Sequence, residues 1–434
     1  MTEQLKRTLE LKDIMFGGVG YMIGAGIFTL ITFVIKYGKG NAWLAFVLGS
    51  IISLLTGLSY ARLNLDMPSN DAEYSWIRDA FTTKRDRDEN TSKNQRVNLF
   101  AKIVIYAVMI MGILMNATIS VSVSSFIKIY LPGISVFLLN FLVLLLPSLV
   151  NIFGSDITSK INIFITLATI LGISIVILLG LFVPKVLGEN KLFPIPGNTA
   201  NLIRASFITI FAYNGFQSLV QMSEEAKKES DIPRGMIGSL GITTLFYALI
   251  AISVIRLFGV KSAGTQLSPI ASAYGLIFGD KAQHVVNILA ITTMSSTLLL
   301  SILSRSRLLK KLSEIALAPS VFKTVTKNYA TPMNAIVFVS FFSYIFTLFK
   351  QNALEMLANM ASTLTFFIFS CVNMAVVYKF HKENYWEKNG EAKAENDDEA
   401  IIKKFKKMYP FYGIIGLLVT LYLFIVSPTY YDFN

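Results

Sequence analysis

Residues 16–28 read Phe16-Gly-Gly-Val-Gly-Tyr-Met-Ile-Gly-Ala-Gly-Ile-Phe28 and carry five glycines in an otherwise apolar stretch. Each glycine inside a helix costs roughly 1 kcal/mol relative to alanine, and a helix in lipid must satisfy its own backbone. Close packing against a neighbouring helix accounts for Gly17, Gly18 and Gly20. The triplet Gly24-Ala25-Gly26 predicts more, namely that the helix breaks here so that backbone N–H and C=O groups face a ligand.

The composition is that of an integral membrane protein. The chain has 434 residues with a mean hydropathy of +0.57, and charged residues make up 15% of it, against about 25% in soluble domains. Cys371 is the only cysteine, which excludes an intramolecular disulfide, and His284 and His381 stand in no metal-ligand pattern. We therefore expect no metal site, and no cofactor apart from sodium or a proton as a coupling ion.

Apolar stretches long enough to cross a bilayer recur along the whole chain, and the sequence predicts eleven membrane spans. They cover residues 14–35, 42–63, 99–122, 134–153, 161–183, 202–222, 236–258, 282–304, 333–349, 354–378 and 411–426. Residues 1–379 are then a ten-span core. The charged run 84–95 is predicted to be a solvated, mobile loop, and 380–408 a charged cytoplasmic linker before the eleventh span and short tail at 409–434.

The lysines and arginines test this arrangement, because they concentrate in cytoplasmic loops. With the N-terminus in the cytoplasm, 29 of the 39 basic residues fall on the cytoplasmic side. This distribution predicts a multi-pass protein of the cell membrane with a cytoplasmic N-terminus. The net charge of +12 then decorates loops beside anionic lipid, and no nucleic-acid partner is expected.

The first five spans and the next five occupy stretches of similar length, residues 13–183 and 201–379. An odd number of spans in each half inverts the second half relative to the first, so that the sixth span corresponds to the first. The sixth span contains Phe211-Ala-Tyr-Asn-Gly-Phe-Gln-Ser218, whose Tyr-Asn-Gly triplet is typical of a turn. Interrupted helices at corresponding positions predict a transporter binding site, although coincidental glycine clusters in packed helices give the same pattern.

The two breaks match the two charged groups of an α-amino acid. Where the first span resumes at Ala25-Gly26-Ile27, free N–H groups and the positive end of the helix dipole favour a carboxylate. Where the first half of the sixth span ends, at residues 211–213, free carbonyl groups can accept from an ammonium group. Such a site needs no buried charged side chain. Glu355, the acidic residue nearest to mid-membrane, is interpreted as an interfacial carboxylate paired with Lys350.

Four motifs in this order resemble the amino acid–polyamine–organocation superfamily, and the resemblance covers about residues 8–380. They are Gly20–Phe28; Leu54–Leu63 with Met67-Pro68 and Glu73-Tyr74-Ser75; Phe211–Phe216 with Glu224-Glu225 and Asp231–Arg234; and Ser304–Arg307 with Pro319 and Thr331-Pro332. The resemblance implies an all-α integral membrane protein with a LeuT-type 5+5 inverted repeat, discontinuous helices 1 and 6, and alternating access. Most members have a twelfth span, whereas this sequence predicts an eleventh helix and an outward C-terminus.

The resemblance also implies a substrate site formed by the two breaks. Its expected members are Ile23, Gly24, Ala25 and Gly26 in the first span, and Phe211, Ala212, Tyr213, Asn214 and Gly215 in the sixth. Asn214 lies beside the substrate side chain, where its amide can bind a polar substrate or can equally cap the break. Tyr106 and Tyr247 are candidate wall aromatics, although core packing explains both. Glu224 and Glu225 are expected to contact loop arginines that close the cytoplasmic side.

The coupling ion is less well indicated. Several proton-coupled members carry a lysine in the middle of the fifth helix, at the position of Thr169, and this departure argues against that form of proton coupling. Ser295 and Ser296 fall where sodium-coupled members supply hydroxyl ligands, and oxygen ligands suit a hard cation. Serines are also common packing residues between membrane helices. Exchange without a coupling ion is a further alternative.

The sequence thus predicts a secondary transporter that moves amino acids by ion symport or exchange. A polyamine or organic amine transporter, and a transporter-like sensor that binds an amino acid without net flux, are alternatives. An enzyme is not expected, because no paired carboxylate, histidine cluster or nucleophile–base arrangement lies at membrane depth. The expected partners are a small-molecule amino acid or amine and the lipid bilayer.

Overall fold

The computed structural model describes residues 10–69, 71–89, 91–153, 156–183, 199–228, 230–326, 329, 331–349, 354–382 and 397–427. Within these ranges the regular elements are sixteen α-helices and three short 3₁₀ helices. The α-helices in the first part of the chain are α1 (Leu11–Met22), α2 (Ala25–Phe28), α3 (Leu30–Gly38), α4 (Ala42–Asp66), α5 (Ala72–Phe81), α6 (Lys84–Asp88), α7 (Ser92–Lys128), α8 (Val136–Ile152) and α9 (Asp156–Phe182).

The second part of the chain is also helical. Its α-helices are α10 (Thr199–Tyr213), α11 (Asp231–Ala263), α12 (Pro269–Phe278), α13 (Asp280–Glu314), α14 (Met333–Thr347), α15 (Leu354–Lys382) and α16 (Asp397–Val426). The 3₁₀ helices are Lys39–Asn41, Phe216–Glu225 and Ser320–Lys323. The chain is therefore all-α over the described ranges, as the sequence predicts.

Six helical stretches of the described residues are long and apolar enough to cross a membrane. They are Leu30–Asp66, Ser92–Lys128, Phe164–Phe182, Asp231–Ala263, Asp280–Glu314 and Leu354–Lys379. Shorter apolar helices cover Val136–Ile152, Pro269–Phe278, Met333–Thr347 and Phe411–Val426. The predicted first and sixth spans are absent from both sets because each is interrupted. These features establish a multi-pass integral membrane protein.

Three stretches differ from the sequence prediction. The charged run 84–95 is largely helical, because Thr83 and Asp86 form a reciprocal capping box that starts α6, and α7 already begins at Ser92. Helix α16 begins at Asp397, inside the predicted linker 380–408, so the basic end of that linker lies on a helix. Helix α12 lies between two predicted spans, where no helix is predicted, and Pro269 at its first position starts it.

The two interrupted helices lie inside the bundle. Helix α1 packs against α11, α9 and the 3₁₀ helix 216–225, while α10 packs against α3, α4 and α15. The outer surface is apolar: Leu146, Phe164, Phe182, Phe341 and Leu418 are all more than half exposed, on four different helices. Such side chains face lipid in a membrane protein. The broken helices are therefore shielded from lipid by their neighbours, and only there can irregular backbone be tolerated.

Candidate functional site

The first helix interruption covers Ile23 and Gly24, between α1 and α2. Ile23 has an extended backbone (φ −76°, ψ 96°), and its N–H donates to Val19 O at 2.8 Å. The N–H groups of Ile27 and Phe28 donate to Gly24 O, so α2 starts directly after the break. Ala25 and Gly26 are the first two residues of α2, and the first N–H groups of a helix have no acceptor within that helix. Such N–H groups at a break inside the bundle suit a carboxylate.

The second interruption follows α10. Asn214 N–H donates to Ile210 O at 3.1 Å and closes the helix. Gly215 then takes φ 132°, a conformation in which any side chain would be strained. The chain continues as a 3₁₀ helix from Phe216, and Ser218 N–H donates to Gly215 O at 2.9 Å. The turn predicted from the Tyr-Asn-Gly triplet is confirmed.

The two interruptions lie directly against each other. A Cβ atom placed on Gly26 would lie 2.5 Å from Ala212 Cα, and one on Gly215 would lie 3.0 Å from the carbonyl oxygen of Tyr21. The backbones of α2 and α10 therefore touch without intervening side chains. Gly26 serves this packing whether or not a ligand binds, which accounts for part of the glycine-rich pattern.

Tyr247 of α11 joins the two interruptions. Its ring is fully buried, and its hydroxyl donates to Met22 O at 2.6 Å and to Ala212 O at 3.2 Å. These carbonyls lie at the ends of α1 and α10, where the helix itself leaves them unpaired. Of the two predicted roles for Tyr247, wall aromatic and core residue, core packing is confirmed. Its hydroxyl is in addition a shared cap for both helix ends, a role that no local sequence pattern signals.

Asn214 is held by its neighbours on both sides of the second break. Its Nδ2 donates to Thr365 Oγ1 of α15 at 3.0 Å, and its Oδ1 accepts from Gln217 Nε2 at 3.2 Å. Gln217 in turn accepts from the Gly215 N–H at 3.1 Å. The backbone N–H at the break is thus capped by Gln217, a residue without a predicted role, and Asn214 holds Gln217 in place. Both alternatives for Asn214, binding a polar substrate and capping the break, stay predictions.

A group of threonine hydroxyls lies beside the first break. Thr169 Oγ1 of α9 lies 2.5 Å from Thr293 Oγ1 of α13 and also donates to Ile165 O. One turn along α13, Thr297 is the residue that a Cβ on Gly24 would contact, at 2.8 Å. Neither hydrogen bond of Thr169 involves Ser295 or Ser296. The sequence analysis therefore found Thr169 but missed Thr293 and Thr297, which share one face of α13.

An ion pair links the start of the first span to the segment after the second break, where Glu224 and Glu225 are predicted to contact loop arginines. The side chains of Glu224 and Glu225 lie outside the described residues. Near them, Lys227 Nζ forms an ion pair with Glu10 at 2.6 Å and so ties the start of α1 to the segment after the second break. Hydrogen bonds from Lys227 and from Lys12 hold the pKa of Glu10 below its ordinary value.

Two other predicted side chains have unexpected partners. Tyr106 is 42% exposed and donates to Leu317 O at 2.6 Å, so it is neither a core residue nor a wall of the interruptions. Glu355 accepts from Tyr37 at 2.7 Å and forms an ion pair with Arg204 at 3.3 Å. Its predicted partner, Lys350, lies outside the described residues. The pairing with Lys350 stays a prediction, while Tyr37 and Arg204 are partners that tertiary structure supplies by bringing α3 and α10 to the start of α15.

Known proteins resemble this chain along most of its length. A family model described as amino acid permease matches residues 9–432. The chain is 25% identical over 391 residues to the vacuolar cationic amino acid transporter 8 of Arabidopsis thaliana, covering 86% of this chain and 63% of that protein. It is 26% identical to cationic amino acid transporter 5 of the same plant, covering 87% and 66%. The chain thus spans slightly less than two thirds of these plant relatives.

A bacterial protein matches over a larger share of its own length. The methylthioribose transporter of Bacillus subtilis (strain 168) is 24% identical over 409 residues, which cover 88% of this chain and 83% of that protein. All three relatives are named as transporters, but they are named for different solutes. The similarity therefore extends over both helix interruptions without pointing to one substrate.

Proposed function

Because the chain belongs to the amino acid permease family, we propose that it is a secondary transporter that carries an amino acid across the membrane by alternating access. The observation that carries this proposal is the break at residues 23–24, where α2 starts inside the bundle and against the second interruption. The N-terminus of a helix offers N–H groups that have no acceptor within the helix, and an anionic group can accept from them. Interrupted helices that face each other are typical of transporter binding sites.

The proposed substrate is bound by its α-carboxylate and α-ammonium groups. The carboxylate accepts from the N–H groups of residues 24–26. The ammonium donates to carbonyl groups at the end of α10, because a carbonyl oxygen such as that of Ala212, already bonded to Tyr247, has a second lone pair. Ile23, Phe211 and Tyr213 belong to the same two breaks. Asn214 lies at the boundary of the site and influences which side chain the substrate carries.

The orientation and the coupling ion are further parts of the proposal. The distribution of lysines and arginines supports a cytoplasmic N-terminus, a cell-membrane location, and a ten-span core followed by a cytoplasmic linker and an eleventh helix. The hydroxyls of Thr169, Ser295 and Ser296 are candidates for a sodium site. Uptake measured with sodium and then with choline tests this site, since a sodium-coupled transporter loses concentrative uptake in choline.

Counterflow in proteoliposomes tests the proposed function. Vesicles containing the full chain are loaded with an unlabelled solute, and entry of the same labelled solute is followed. The panel comprises arginine, lysine, leucine, alanine and methylthioribose, chosen from the family and the relatives. We expect transient accumulation for at least one amino acid. A sensor binds without accumulation, and counterflow of methylthioribose alone would contradict an amino acid substrate.

The variant Ala25→Pro tests the carboxylate site, because proline removes one of the three N–H groups and is tolerated at the first position of a helix such as α2. We expect substrate affinity to fall at least about tenfold, since a hydrogen bond to a charged group contributes roughly 1.5–3 kcal/mol. Ala25→Ser keeps the N–H group and is the matched control. Affinity is measured by ligand-induced thermal stabilisation. Equal stabilisation of the wild type by the amino acid and its decarboxylated amine would disprove carboxylate recognition.

A further inference from the structure

A small cavity lies beside the second interruption, on the side of the molecule that carries α5. Its polar lining consists of Glu73, Gln217, Ser218 and Arg305, and the other lining side chains are apolar. The space open to the centre of a water molecule is about 10 Å³, which is the room that one water needs. The cavity is therefore too small for an amino acid. The cavity suits a water molecule, with which a lining carboxylate can exchange a proton.

Arg305 of α13 is held at this cavity by its packing. The residue is 6% exposed, and its Nε atom has no hydrogen-bond partner. Its side chain crosses α7 at Gly112, where any Cβ atom would collide with the guanidinium end. No described carboxylate lies within ion-pair distance of Arg305. Arg305 is thus a buried guanidinium that lines the cavity without a contacting carboxylate, which is costly unless it has a function there.

Glu73 is the carboxylate that shares the cavity with Arg305. It begins α5, and its Oε1 accepts from the Tyr60 hydroxyl of α4 at 3.0 Å. Burial raises the pKa of Glu73 above its ordinary value, against the opposing effect of hydrogen bonds from its own N–H and from Tyr60 and of the charge on Arg305. The charge of Glu73 is therefore partly balanced by Arg305 without contact between the two side chains. Glu73 can exchange a proton without first breaking an ion pair.

The other charged and polar groups around α5 are engaged elsewhere. From α15, Lys379 binds Asp66 and Asp79, towards the far end of α5. From α7, Asn98 accepts from Tyr74, while Val108 is the α7 side chain at the cavity. Asp71, just before α5, accepts from Ser69 and Ser75 and raises the pKa of Glu73 slightly. Tyr60, Arg305 and Asp71 are thus the titratable groups that act on Glu73.

We propose that Glu73 is the proton-binding group of the transport cycle and exchanges its proton with water through this cavity. The proposal rests on the transport function proposed above. Gln217 lines the cavity and also caps the second interruption through Asn214 and Gly215, so the cavity and the substrate site share a side chain. When water on the α5 side protonates Glu73, the charge balancing Arg305 is lost. The protonated state therefore favours a conformation in which Arg305 reaches water.

The experiment compares two assays in the same proteoliposomes. Counterflow at equal pH reports exchange, and uptake under an imposed pH gradient reports proton coupling. For the wild type we expect the gradient to increase uptake several-fold. For Glu73→Gln we expect counterflow within about twofold of the wild type but no response to the gradient. Glu89→Gln, an exposed carboxylate at the end of α6, is the matched control and keeps both activities.

A second variant covers the case in which Glu73→Gln does not fold. Tyr60→Phe removes the hydrogen bond that lowers the pKa of Glu73, and we expect the pH midpoint of uptake to move up by about one unit. Tyr37→Phe removes the equivalent hydrogen bond to Glu355 and leaves the midpoint unchanged. A gradient response retained in Glu73→Gln, an unshifted midpoint in Tyr60→Phe, or wild-type counterflow that ignores the gradient overturns the inference. Absence of wild-type counterflow for every solute contradicts the proposed function itself.

Discussion

Glu355 and Glu73 lie at opposite ends of the helix bundle, and each accepts a hydrogen bond from a tyrosine, but only Glu355 contacts a cation. Arg204 lies 3.3 Å from Glu355 and also stacks its guanidinium 3.9 Å from the centre of the Tyr37 ring. Arg305 shares a cavity with Glu73 but lies beyond ion-pair distance. The same residue types thus form a closed ion pair at one end and a separated pair at the other.

The separation has a physical consequence. A contact ion pair keeps its carboxylate ionised, because protonation would leave the cation unbalanced in a partly buried site. In a pair separated by a water-sized cavity, protonation of the carboxylate costs less free energy, because the cation is not in contact with it. The Glu355 end is therefore suited to holding α3, α10 and α15 together, and the Glu73 end is suited to changing its charge. Three variants test this contrast, in decreasing order of expected effect.

The largest effect is expected for Arg204→Met, which leaves Glu355 with Tyr37 but removes the cation that contacts it. We expect a loss of about 2 kcal/mol in stability, less than for a fully buried pair because both side chains are partly exposed. The melting temperature of the purified protein measures the loss. The double variant Arg204→Met/Glu355→Gln should recover part of it, whereas Arg85→Met, in an exposed pair with Glu89, should cause none. An unchanged melting temperature in Arg204→Met would show that the pair is not stabilising.

A smaller effect is expected for Gly112→Ala, which forces Arg305 away from its place across α7. Overpacking of this kind costs about 1.5 kcal/mol. Withdrawal of the positive charge also raises the pKa of Glu73, so the pH midpoint of uptake should rise. Gly241→Ala is the matched control, because a Cβ at this glycine of α11 meets nothing within 4 Å. An equal shift of the pH midpoint in both variants would show that Arg305 does not influence the pKa of Glu73.

The smallest effect is expected for Lys227→Gln, which breaks the exposed pair between Lys227 and Glu10. The pKa of Glu10 is lowered in the folded protein, chiefly by Lys227. Its stabilising contribution is therefore present above the ordinary glutamate pKa and is lost as the pH falls through the lowered value. We expect a slightly lower melting temperature for Lys227→Gln at pH 7 and low salt. A difference that persists at acidic pH or in high salt would contradict a simple surface ion pair.

The positions of both helix breaks could be predicted from sequence because backbone geometry is a local property. The Gly24-Ala25-Gly26 triplet weakens the first helix, and Gly215 alone supplies the φ of 132° at the second. Tyr247 could not be predicted as their common cap. Its hydroxyl reaches Met22 and Ala212 only because α11 packs against both broken helices.

The threonine hydroxyls beside the first break could not be predicted from the sequence either. Thr293 and Thr297 lie one turn apart on α13 and so share a face, whereas Ser295, two residues from each, lies at another angle around the helix. Hydroxyl residues occur on several faces of this span, so the sequence does not reveal which face meets α9. The contact between Thr169 and Thr293 settles the rotation of α13.

By itself the sequence determined the class of the protein, the approximate spans and the two interruptions, because hydropathy and glycine act on the chain locally. Only the tertiary structure decided which groups meet: Gly26 with Ala212, Tyr247 with both helix ends, Glu355 with Arg204 and Glu73 with the cavity of Arg305. Such pairings depend on the rotation of each helix about its axis and its depth in the bundle. Packing between distant segments sets this rotation and this depth. Neither can be read from an apolar sequence that is similar on every face of the helix.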